Sequence, residues 1–369
     1  MKKLAIIGGS YLQLPLIKKA KEMGIETHCF AWEDGAVCKF FADYFYPVSI
    51  MNKETILEKC SQISIDGVVS IASDVAVTTV CFVAERLGLI SNEYSDVLAC
   101  TNKYEMRKRF TEHNINCPKF ISTDNIETEI NLKFPVILKP VDRSGSRGVT
   151  KVNKKDEFDV AFVRAQSESF LGKVIVEEYI TGYEVSVETI SWQGNHHVLA
   201  ITDKDTTGEP FFVELAHHQP SLLPDFIKNR IKIETIKTLD SLNVKYGASH
   251  AEFKITNDGK VFAIETGARM GGDFIGSDLV KLSTGYDFVK GVIEIALGEF
   301  NEPTRLFNKF SGVYFISAET ERLLSLLESD FQHNWIIEKS VISKELKKAQ
   351  CSADRSGYII YQADKKIII

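Results

Sequence analysis

Residues 249–273 read SHAEFKITNDGKVFAIETGARMGGD. Two strand-like runs flank the Asp-Gly pair at 258–259, and an Asp-Gly pair in that setting is a strong signal for a β-hairpin. With these two residues at the centre of the turn, Glu252 pairs directly with Glu265. The sequence therefore predicts a hairpin that carries two opposed glutamates on one face.

Such a pair of carboxylates needs a partner. Two carboxylates about 5 Å apart repel each other by roughly 3 kcal/mol at an effective dielectric constant near 20, and directly opposed like charges destabilise a sheet. A shared proton, solvent or a bound cation relieves the repulsion, and oxygen ligands of this kind suit Mg²⁺. Solvated glutamates on an exposed hairpin face are the alternative interpretation.

The segment after the hairpin is a glycine-rich turn. Arg269 follows Glu265 by four residues and lies among Gly267, Gly271 and Gly272. Glycines let the backbone approach a ligand closely, and an arginine there can bind a carboxylate or a phosphoryl group with two hydrogen bonds. A surface ion pair is the simpler alternative.

A second glycine-containing stretch, VILKPVDRSGSRGVT at 136–150, follows an apolar strand. It contains Lys139, Gly145 and Gly148 but fits neither the GxxxxGK[ST] loop nor the GxGxxG spacing. The pattern predicts a phosphate-binding loop of another kind.

Residues 1–100 alternate short apolar strands with amphipathic helices, which predicts a parallel sheet. The first strand ends at Gly8-Gly9-Ser10, yet Ser10 and Gln13 stand where a dinucleotide site has its second and third glycines. This turn is a tight strand-to-helix connection, a binding site for a substrate phosphate or carboxylate at the helix N-terminus, or a nicotinamide site. Beyond about residue 119 the periodicity indicates an antiparallel, α+β region.

Composition limits the function classes. The chain has 369 residues, a net charge of -6 and a pI near 5.8, which argue against nucleic acid as a partner. It has no apolar run of 18 residues, so no membrane span is expected. Its seven scattered cysteines form no CxxC pair and indicate buried free thiols in a reducing compartment. We therefore expect a cytoplasmic protein.

Four segments, taken in order, resemble the ATP-grasp superfamily. They are TNKYEMRKRF, PVILKPVDRSGSRGV, VIVEEYITGYEVSVE, and the pair HAEFK and VFAIETGARMGGD. Each is a weak signal alone, whereas the ordered set is specific. The resemblance implies an α/β, Rossmann-like preATP-grasp domain at 1–100 and an α+β ATP-grasp domain with antiparallel sheets at 101–300. It also implies a mobile lid at about 119–182 and a β-rich C-terminal lobe at 301–369.

The resemblance implies ATP and Mg²⁺ (or Mn²⁺) as cofactors, and it assigns a role to each matching residue. The residues implied to bind ATP are Lys103, Lys139, Ser144, Gly145, Ser146, Gly148, Glu177, Glu178, Tyr179, Ile180 and Glu184. Glu252 and Glu265 would hold the metal, while Arg269 and Lys139 would serve catalysis. Taken alone, Lys103 is part of a solvated basic helix face and Glu184 lies on the outer face of a strand. Gly267 departs from the family pattern, because many members have an asparagine there as a third metal ligand.

The chemistry implied is that of a carboxylate-amine ligase. ATP activates a small carboxylate, in our interpretation an amino acid or a related metabolite, as an acyl phosphate, and an amine then displaces phosphate. A phosphotransferase on the same fold, or a nucleotide-binding regulator with a weakened site, is the alternative. The resemblance also suggests a homodimer.

Four residues are assigned to the substrates: His217, Asp74, Gly271 and Gly272. His217 or its neighbour His218 faces the substrate or packs against Pro220. Asp74 binds a substrate amine or caps the next helix.

Overall fold

The structure, a computed structural model, describes residues 1–328, 333–343 and 345–369. These residues form a four-stranded parallel sheet, a four-stranded antiparallel sheet and an eight-stranded antiparallel sheet. The predicted fold class is confirmed, because a parallel α/β region precedes antiparallel α+β sheets. The predicted domain boundaries stay predictions.

The parallel sheet occupies the N-terminal region. Its elements are β1 (Lys3–Ile7), α1 (Leu14–Glu22), β2 (Glu26–Ala31), β3 (Tyr44–Pro47), α2 (Lys53–Ile63), β4 (Gly67–Val69), α3 (Asp74–Leu87) and α4 (Tyr94–Thr101). The strand order is β3-β2-β1-β4. The apolar residues of β1 are fully buried, because helices cover the sheet of such a fold on both faces.

The glycine turn after β1 is filled by a side chain of the protein itself. Gln13 is buried, its Oε1 atom accepts a hydrogen bond from the Ser10 amide, and its amide group donates to the Ile71 carbonyl oxygen. A Cβ atom at Gly8 would lie 3.2 Å from this side chain. The turn is thus a packed strand-to-helix connection, which agrees with the failure of the GxGxxG spacing.

The second sheet lies within the predicted lid and has a hydrophobic core of its own. Helix α5 (Lys103–Glu112) leads into it, and it contains β5 (Phe120–Thr123), β6 (Val136–Pro140), β7 (Thr150–Val152), α6 (Phe158–Glu168) and β8 (Val174–Glu178) in the strand order β5-β8-β6-β7. Apolar residues of β6 and β8 pack on Phe162 of α6. The loop at 141–149 connects β6 to β7 at one end of this sheet.

The eight-stranded sheet extends from the central region to the C-terminus. Its elements are β9 (Tyr183–Trp192), β10 (Asn195–Thr206), β11 (Glu214–Gln219), α7 (Asp225–Ser241), β12 (Gly247–Ile255), β13 (Val261–Gly267), α8 (Val280–Thr284), α9 (Phe288–Ala296), β14 (Phe310–Ile316), α10 (Leu324–Glu328), β15 (Ile336–Val341) and β16 (Gly357–Ala363). The strand order is β13-β12-β9-β10-β11-β14-β16-β15. The C-terminal strands therefore continue the central sheet at the end opposite to the β12–β13 hairpin.

The β12–β13 hairpin pairs its glutamates as predicted but turns differently. Glu252 lies directly opposite Glu265. The predicted two-residue turn is wrong, since the Thr256 amide bonds to the Lys260 carbonyl and the turn is one residue longer. A β-bulge at Ile264 shifts the register back by one residue. The two irregularities cancel, which leaves both glutamates on one face.

The cysteines are free thiols, as their scattered spacing predicts. All seven are free; five are buried, and Cys117 and Cys351 are half-buried. Within the described ranges, no helix is both long and apolar enough to cross a membrane.

Candidate active site

A deep cavity lies between the lid sheet and the β9–β12–β13 face of the large sheet. It encloses about 1050 Å³ when its open mouth is included. The residues predicted to bind nucleotide or metal, or to serve catalysis, that line it are Lys103, Lys139, Ser144, Gly145, Ser146, Glu177, Glu178, Tyr179, Ile180, Glu184, Glu252, Glu265 and Arg269. The structure thus brings together residues that are spread along the chain from Lys103 to Arg269.

Two buried lysines mark one end of the cavity. Lys103 is the first residue of α5, where Asn102 caps the helix, and its Nζ atom lies 3.0 Å from Glu265 Oε1. Lys139 is at the end of β6, and its Nζ atom lies 2.6 Å from Glu177 Oε2. Burial lowers the pKa of the Lys139 ammonium, and the Glu177 carboxylate offsets part of this shift.

The glycine loop folds over this end. Gly145 and Gly148 adopt φ values of +70° and +67°, which favour glycine. Asp142 anchors the loop by accepting hydrogen bonds from the Phe170 and Leu171 amides. Gly148 lies outside the cavity lining, and a Cβ atom there would approach the Pro140 ring to 3.1 Å. Gly148 therefore allows the tight course of the loop beside Pro140.

Glu177 is engaged by two cations. Its carboxylate lies 2.8 Å from Arg107 Nε and 2.6 Å from Lys139 Nζ. Burial alone raises the pKa of this carboxyl, but Arg107 and Lys139 outweigh that effect and lower it. Because the Glu177 side chain is paired with Arg107 and Lys139, only the backbone of Glu177 is free for the predicted contact with adenine. The side chain serves the lysine instead.

The other end of the cavity is more apolar. Glu178, Tyr179 and Ile180 line it where β8 ends. The Tyr179 ring centroid lies 6.0 Å from that of Phe212 and 4.2 Å from Lys151 Nζ. A planar base would find aromatic and apolar contacts here.

Lys204 on β10 holds three carboxylates at the floor of the cavity. Its Nζ atom is 2.9 Å from Glu252, 3.0 Å from Glu184 and 3.4 Å from Glu214. Burial alone lowers the pKa of Lys204, but the three carboxylates raise it well above its ordinary value. The Lys204 ammonium therefore connects Glu184, the predicted ribose-binding acid, with Glu252, a predicted metal ligand.

The opposed glutamates can accept a divalent cation. The bonds to Lys204 and to Lys103 go to Oε1 of Glu252 and of Glu265, and no hydrogen bond to either Oε2 atom occurs in the described part of the chain. No cluster of three or more His, Cys, Asp or Glu side chains in the described ranges is placed to hold a metal. The donor set fits a Mg²⁺ ion that completes its shell with water and phosphate oxygens.

His250 connects Glu252 to the glycine-rich turn. Its Nδ1 atom lies 2.5 Å from Glu188 Oε1 and its Nε2 atom 3.2 Å from Glu252 Oε1. Burial alone lowers the pKa of His250, but Glu188 and Glu252 raise it to about 9. Glu188 also accepts a hydrogen bond from the Gly271 amide.

Arg269 reaches back to the N-terminal region. It donates two hydrogen bonds to Asp74, at 2.8 and 3.0 Å. The cap of α3 is Ser73, so the helix-cap alternative for Asp74 is wrong. A Cβ atom at Gly267 would lie only 2.9 Å from Asp74 Oδ1 and 3.3 Å from Arg269 Nε. The missing asparagine at 267 thus leaves room for this ion pair.

His217 and its neighbour His218, which were considered for the substrate, do not line the cavity. His217 is buried, with its Nε2 atom 3.7 Å from Asp273 Oδ2, and Asp273 also receives two hydrogen bonds of 2.7 Å from Arg355. His218 bonds to Tyr361 and Asp205, so it packs in the large sheet.

Gly271 and Gly272 lie in the turn at 269–274 but do not line the cavity. A side chain at Gly271 would collide with Glu188.

A second, wider cavity of about 1650 Å³ adjoins the first. It lies between the N-terminal region and the lid, and Asp74, Lys103, Arg143, Arg147 and Glu265 are among its lining residues. Because it shares Lys103 and Glu265 with the first cavity, it opens onto the predicted phosphate end.

The chain matches known proteins in sequence. Residues 132–278 match the family described as the ATP-grasp domain. Over 271 residues, the chain is 27% identical to alanine–anticapsin ligase of Bacillus subtilis, covering 63% of this chain and 57% of that protein. Over 264 residues, it is 25% identical to the formate-dependent phosphoribosylglycinamide formyltransferase of Prochlorococcus marinus subsp. pastoris, covering 66% and 64%.

The fold matches solved structures over nearly its whole length. An L-amino acid ligase from Bacillus licheniformis aligns with a TM-score of 0.82 and 22% identity, over 99% of this chain and 94% of that one. Phosphoribosylglycinamide synthetase from Anaerococcus prevotii aligns with a TM-score of 0.77 and 23% identity, over the same shares.

The fold and the site resemble those of ATP-grasp proteins. Residues 132–278 match the ATP-grasp domain, and the resemblance predicted from the sequence is confirmed. The matched region spans less than two thirds of the length of the two curated relatives named above.

Several residues in and around the cavity were not predicted from the sequence. Lys204, His250, Glu188 and Arg107 lie on strands or a helix without a glycine-rich motif beside them. Arg107 belongs to the basic segment that, taken alone, reads as a solvated helix face, yet it is fully buried. The spacing of Lys103 and Arg107, four residues apart on one helix face, is the signal that was available.

Proposed function

We propose that the protein is an ATP- and Mg²⁺-dependent ligase. It would activate a small carboxylate as an acyl phosphate for attack by an amine and release ADP and phosphate. One observation carries the proposal: a single cavity holds Lys103, Lys139, the glycine loop, the opposed glutamates and Arg269. These groups meet the requirement of phosphoryl transfer for positioned positive charge.

Each part of the cavity would have a separate task. Lys103 and Lys139 would bind the phosphates nearest the lid, and the loop amides from Ser144 to Ser146 would cover the terminal ones. Tyr179 and Ile180 would contact adenine, and Glu184 the ribose. A divalent ion on Glu252 and Glu265, when bound, would neutralise charge on the transferred phosphoryl group.

Arg269 would act at the reacting carboxylate. Its guanidinium lines the cavity next to Glu265 while Asp74 fixes its orientation. It would hold the carboxylate in line with the terminal phosphate and then stabilise the acyl phosphate. Closure of the loop would exclude water, which would otherwise hydrolyse that intermediate.

The names of the relatives support an amino acid as the carboxylate substrate. One relative is an alanine–anticapsin ligase, and one structural neighbour is an L-amino acid ligase. We therefore propose an L-amino acid or a related small carboxylate.

The test is a coupled assay of the whole chain. ATP, Mg²⁺ and a panel of amino acids, offered singly and in pairs, are expected to release ADP and phosphate in equal amounts. Turnover that requires both a carboxylate and an amine supports ligation. A phosphorylated product without free phosphate would identify a phosphotransferase, and nucleotide binding without any turnover would identify a regulator.

A variant tests the metal assignment. Glu265→Gln should reduce Mg²⁺-dependent turnover by about a hundredfold or more, because one of two metal ligands is lost. Asp258→Asn removes one charge at the exposed tip of the same hairpin and should leave turnover unchanged. Undiminished turnover in Glu265→Gln would contradict the assignment.

A further inference from the structure

The buried side chain of Arg107 does not line the cavity, and we propose that it is a positioning residue for the nucleotide phosphates. By sharing the Glu177 carboxylate with Lys139, Arg107 keeps the Lys139 ammonium available for phosphate. The inference rests on the proposed nucleotide binding. It adds a residue to that site which contacts neither nucleotide nor metal.

Arg107 is placed where an arginine is costly. It lies on α5 one helical turn after Lys103, and its side chain is fully buried. A buried charge is tolerated only when it is paired and hydrogen-bonded. A methionine would fill the same space without that cost, so the guanidinium calls for an explanation beyond packing.

The contacts of Arg107 join three elements of the phosphate end. Its Nε atom forms an ion pair of 2.8 Å with Glu177 Oε1 on β8, although the N–H is not aligned as a hydrogen bond. Its Nη2 atom donates to the Ile264 carbonyl oxygen on β13, at 2.5 Å. Ile264 is the bulged residue that immediately precedes Glu265. Arg107 thus supports a lysine and a predicted metal ligand together.

Charge is the physical reason for the arrangement. Arg107, Glu177 and Lys139 form a buried triad of two cations and one carboxylate, and the triad therefore has one net positive charge. Without Arg107, Glu177 and Lys139 would form an isolated pair with no net charge. In a site of low dielectric constant such a pair is held tightly, and phosphate would have to compete with Glu177 for the ammonium.

The other charged groups at this end fit the same explanation. Lys103 and Glu265, which also influence the pKa of Lys139, form a pair of their own at 3.0 Å. Their charges cancel, so the net positive charge at the phosphate end comes from the triad. On the loop, Arg143 pairs with Glu168 at 3.4 Å and Arg147 is exposed.

The experiment measures the binding of two probes to the full chain by calorimetry. The probes are the Mg²⁺ complex of a non-hydrolysable ATP analogue with a β,γ-imido group, and adenosine, which lacks phosphates. Arg107→Met is expected to weaken binding of the analogue by about tenfold or more. Binding of adenosine should change by less than about threefold, because the apolar end is untouched. The matched control is Lys108→Met, which removes one charge from the next, exposed position of the same helix.

A second variant separates the charge argument from a purely structural role. In Arg107→Met with Glu177→Gln, Lys139 has no carboxylate to hold it and the net charge of the triad returns to one. This double variant should bind the analogue within about threefold of the wild type. If Arg107 had only a structural role, replacing Glu177 would not restore binding of the analogue to the Arg107→Met variant.

The outcomes are decisive in either direction. Unchanged binding in Arg107→Met, an equal loss for analogue and adenosine, or no rescue by Glu177→Gln would overturn the inference. If Arg107→Met does not fold, as judged by thermal denaturation, the test uses the double variant and Arg107→Lys, which both keep the net charge. A tenfold loss of analogue binding in either would overturn it. A wild-type chain that binds neither probe would instead contradict the proposed function and, with it, this inference.

Discussion

The two ends of the candidate site, the predicted nucleotide end and the predicted substrate end, are built in different ways. At the nucleotide end, Lys139 and the glycine loop belong to one continuous stretch, and Glu177 to Ile180 form a second. At the substrate end, the 269–274 turn is held by residues far away in sequence. Arg269 bonds to Asp74 over 195 positions, Gly271 to Glu188 over 83, and Asp273 to Arg355 over 82.

This difference separates a region that is held by local contacts from one that distant parts of the chain assemble. The predicted phosphate loop is anchored within the lid, where Asp142 accepts hydrogen bonds from the Phe170 and Leu171 amides. A turn held by Asp74 of the N-terminal region and Arg355 of the C-terminal region needs all three parts in place. Changes at the nucleotide end should therefore alter nucleotide affinity, while changes at the substrate end should alter turnover and stability.

The largest expected effect belongs to Arg269. Arg269→Met should reduce kcat/KM by about a thousandfold, because the guanidinium that stabilises the transferred group is lost. Affinity for the ATP analogue should stay within about threefold of the wild type. Steady-state kinetics and calorimetry measure the two quantities. If Arg269→Met lowered kcat/KM and affinity for the ATP analogue to the same extent, the proposed division of tasks between the two ends would be wrong.

An intermediate effect is expected at the nucleotide end. Lys139→Met should weaken binding of the ATP analogue by about a hundredfold, since a buried cation facing phosphate is removed and Glu177 is left with Arg107 alone. Lys154→Met, at an exposed position of the lid, is the control and should bind normally. An equal loss of affinity for the ATP analogue in Lys139→Met and Lys154→Met would contradict the proposed role of Lys139.

The smallest effect concerns stability at the substrate end. Burial alone raises the pKa of the Asp273 carboxyl, but Arg355 and His217 hold it well below its ordinary value near 3.9. A lowered pKa stabilises the folded state above pH 4, and this contribution is lost as the pH falls further. Asp273→Asn should therefore cost about 2 kcal/mol at pH 7. The control Asp225→Asn, at an exposed position, should cost little.

The stability lost in Asp273→Asn should depend on pH in one direction only. The difference in Tm between wild type and Asp273→Asn should be constant from pH 7 to pH 5 and should narrow below about pH 4. Thermal denaturation at a series of pH values measures it. A difference that widens in acid would show that the Asp273–Arg355 pair is not the source of the stability.

The sequence predicted the nucleotide end because its signals are local. The strand and turn periods identified the parallel sheet and the lid strands, and the ordered motifs located Lys103, Lys139 and Glu184. The opposed glutamates were predicted from a turn that the structure does not have. The pairing held because the longer turn and the bulge at Ile264 each shift the register by one residue in opposite directions.

The remaining residues were not predictable for a physical reason. Lys204 and Arg107 are cations in segments that look solvated, and only the tertiary structure buries them against carboxylates from other strands. The partners of Arg269 and Asp273 lie in other parts of the chain, and no local period encodes such pairs. Buried ion pairs between distant segments therefore mark the limit of prediction from one sequence.

The contact between Arg107 and the Ile264 carbonyl has a consequence for self-association. Strand β13 is at the edge of the eight-stranded sheet, where free backbone groups can recruit a strand of another molecule and start aggregation. Here the Ala263 amide donates to the Asn116 carbonyl and the Ile264 carbonyl accepts from Arg107. The bulge and these two bonds leave little of that edge open to an incoming strand.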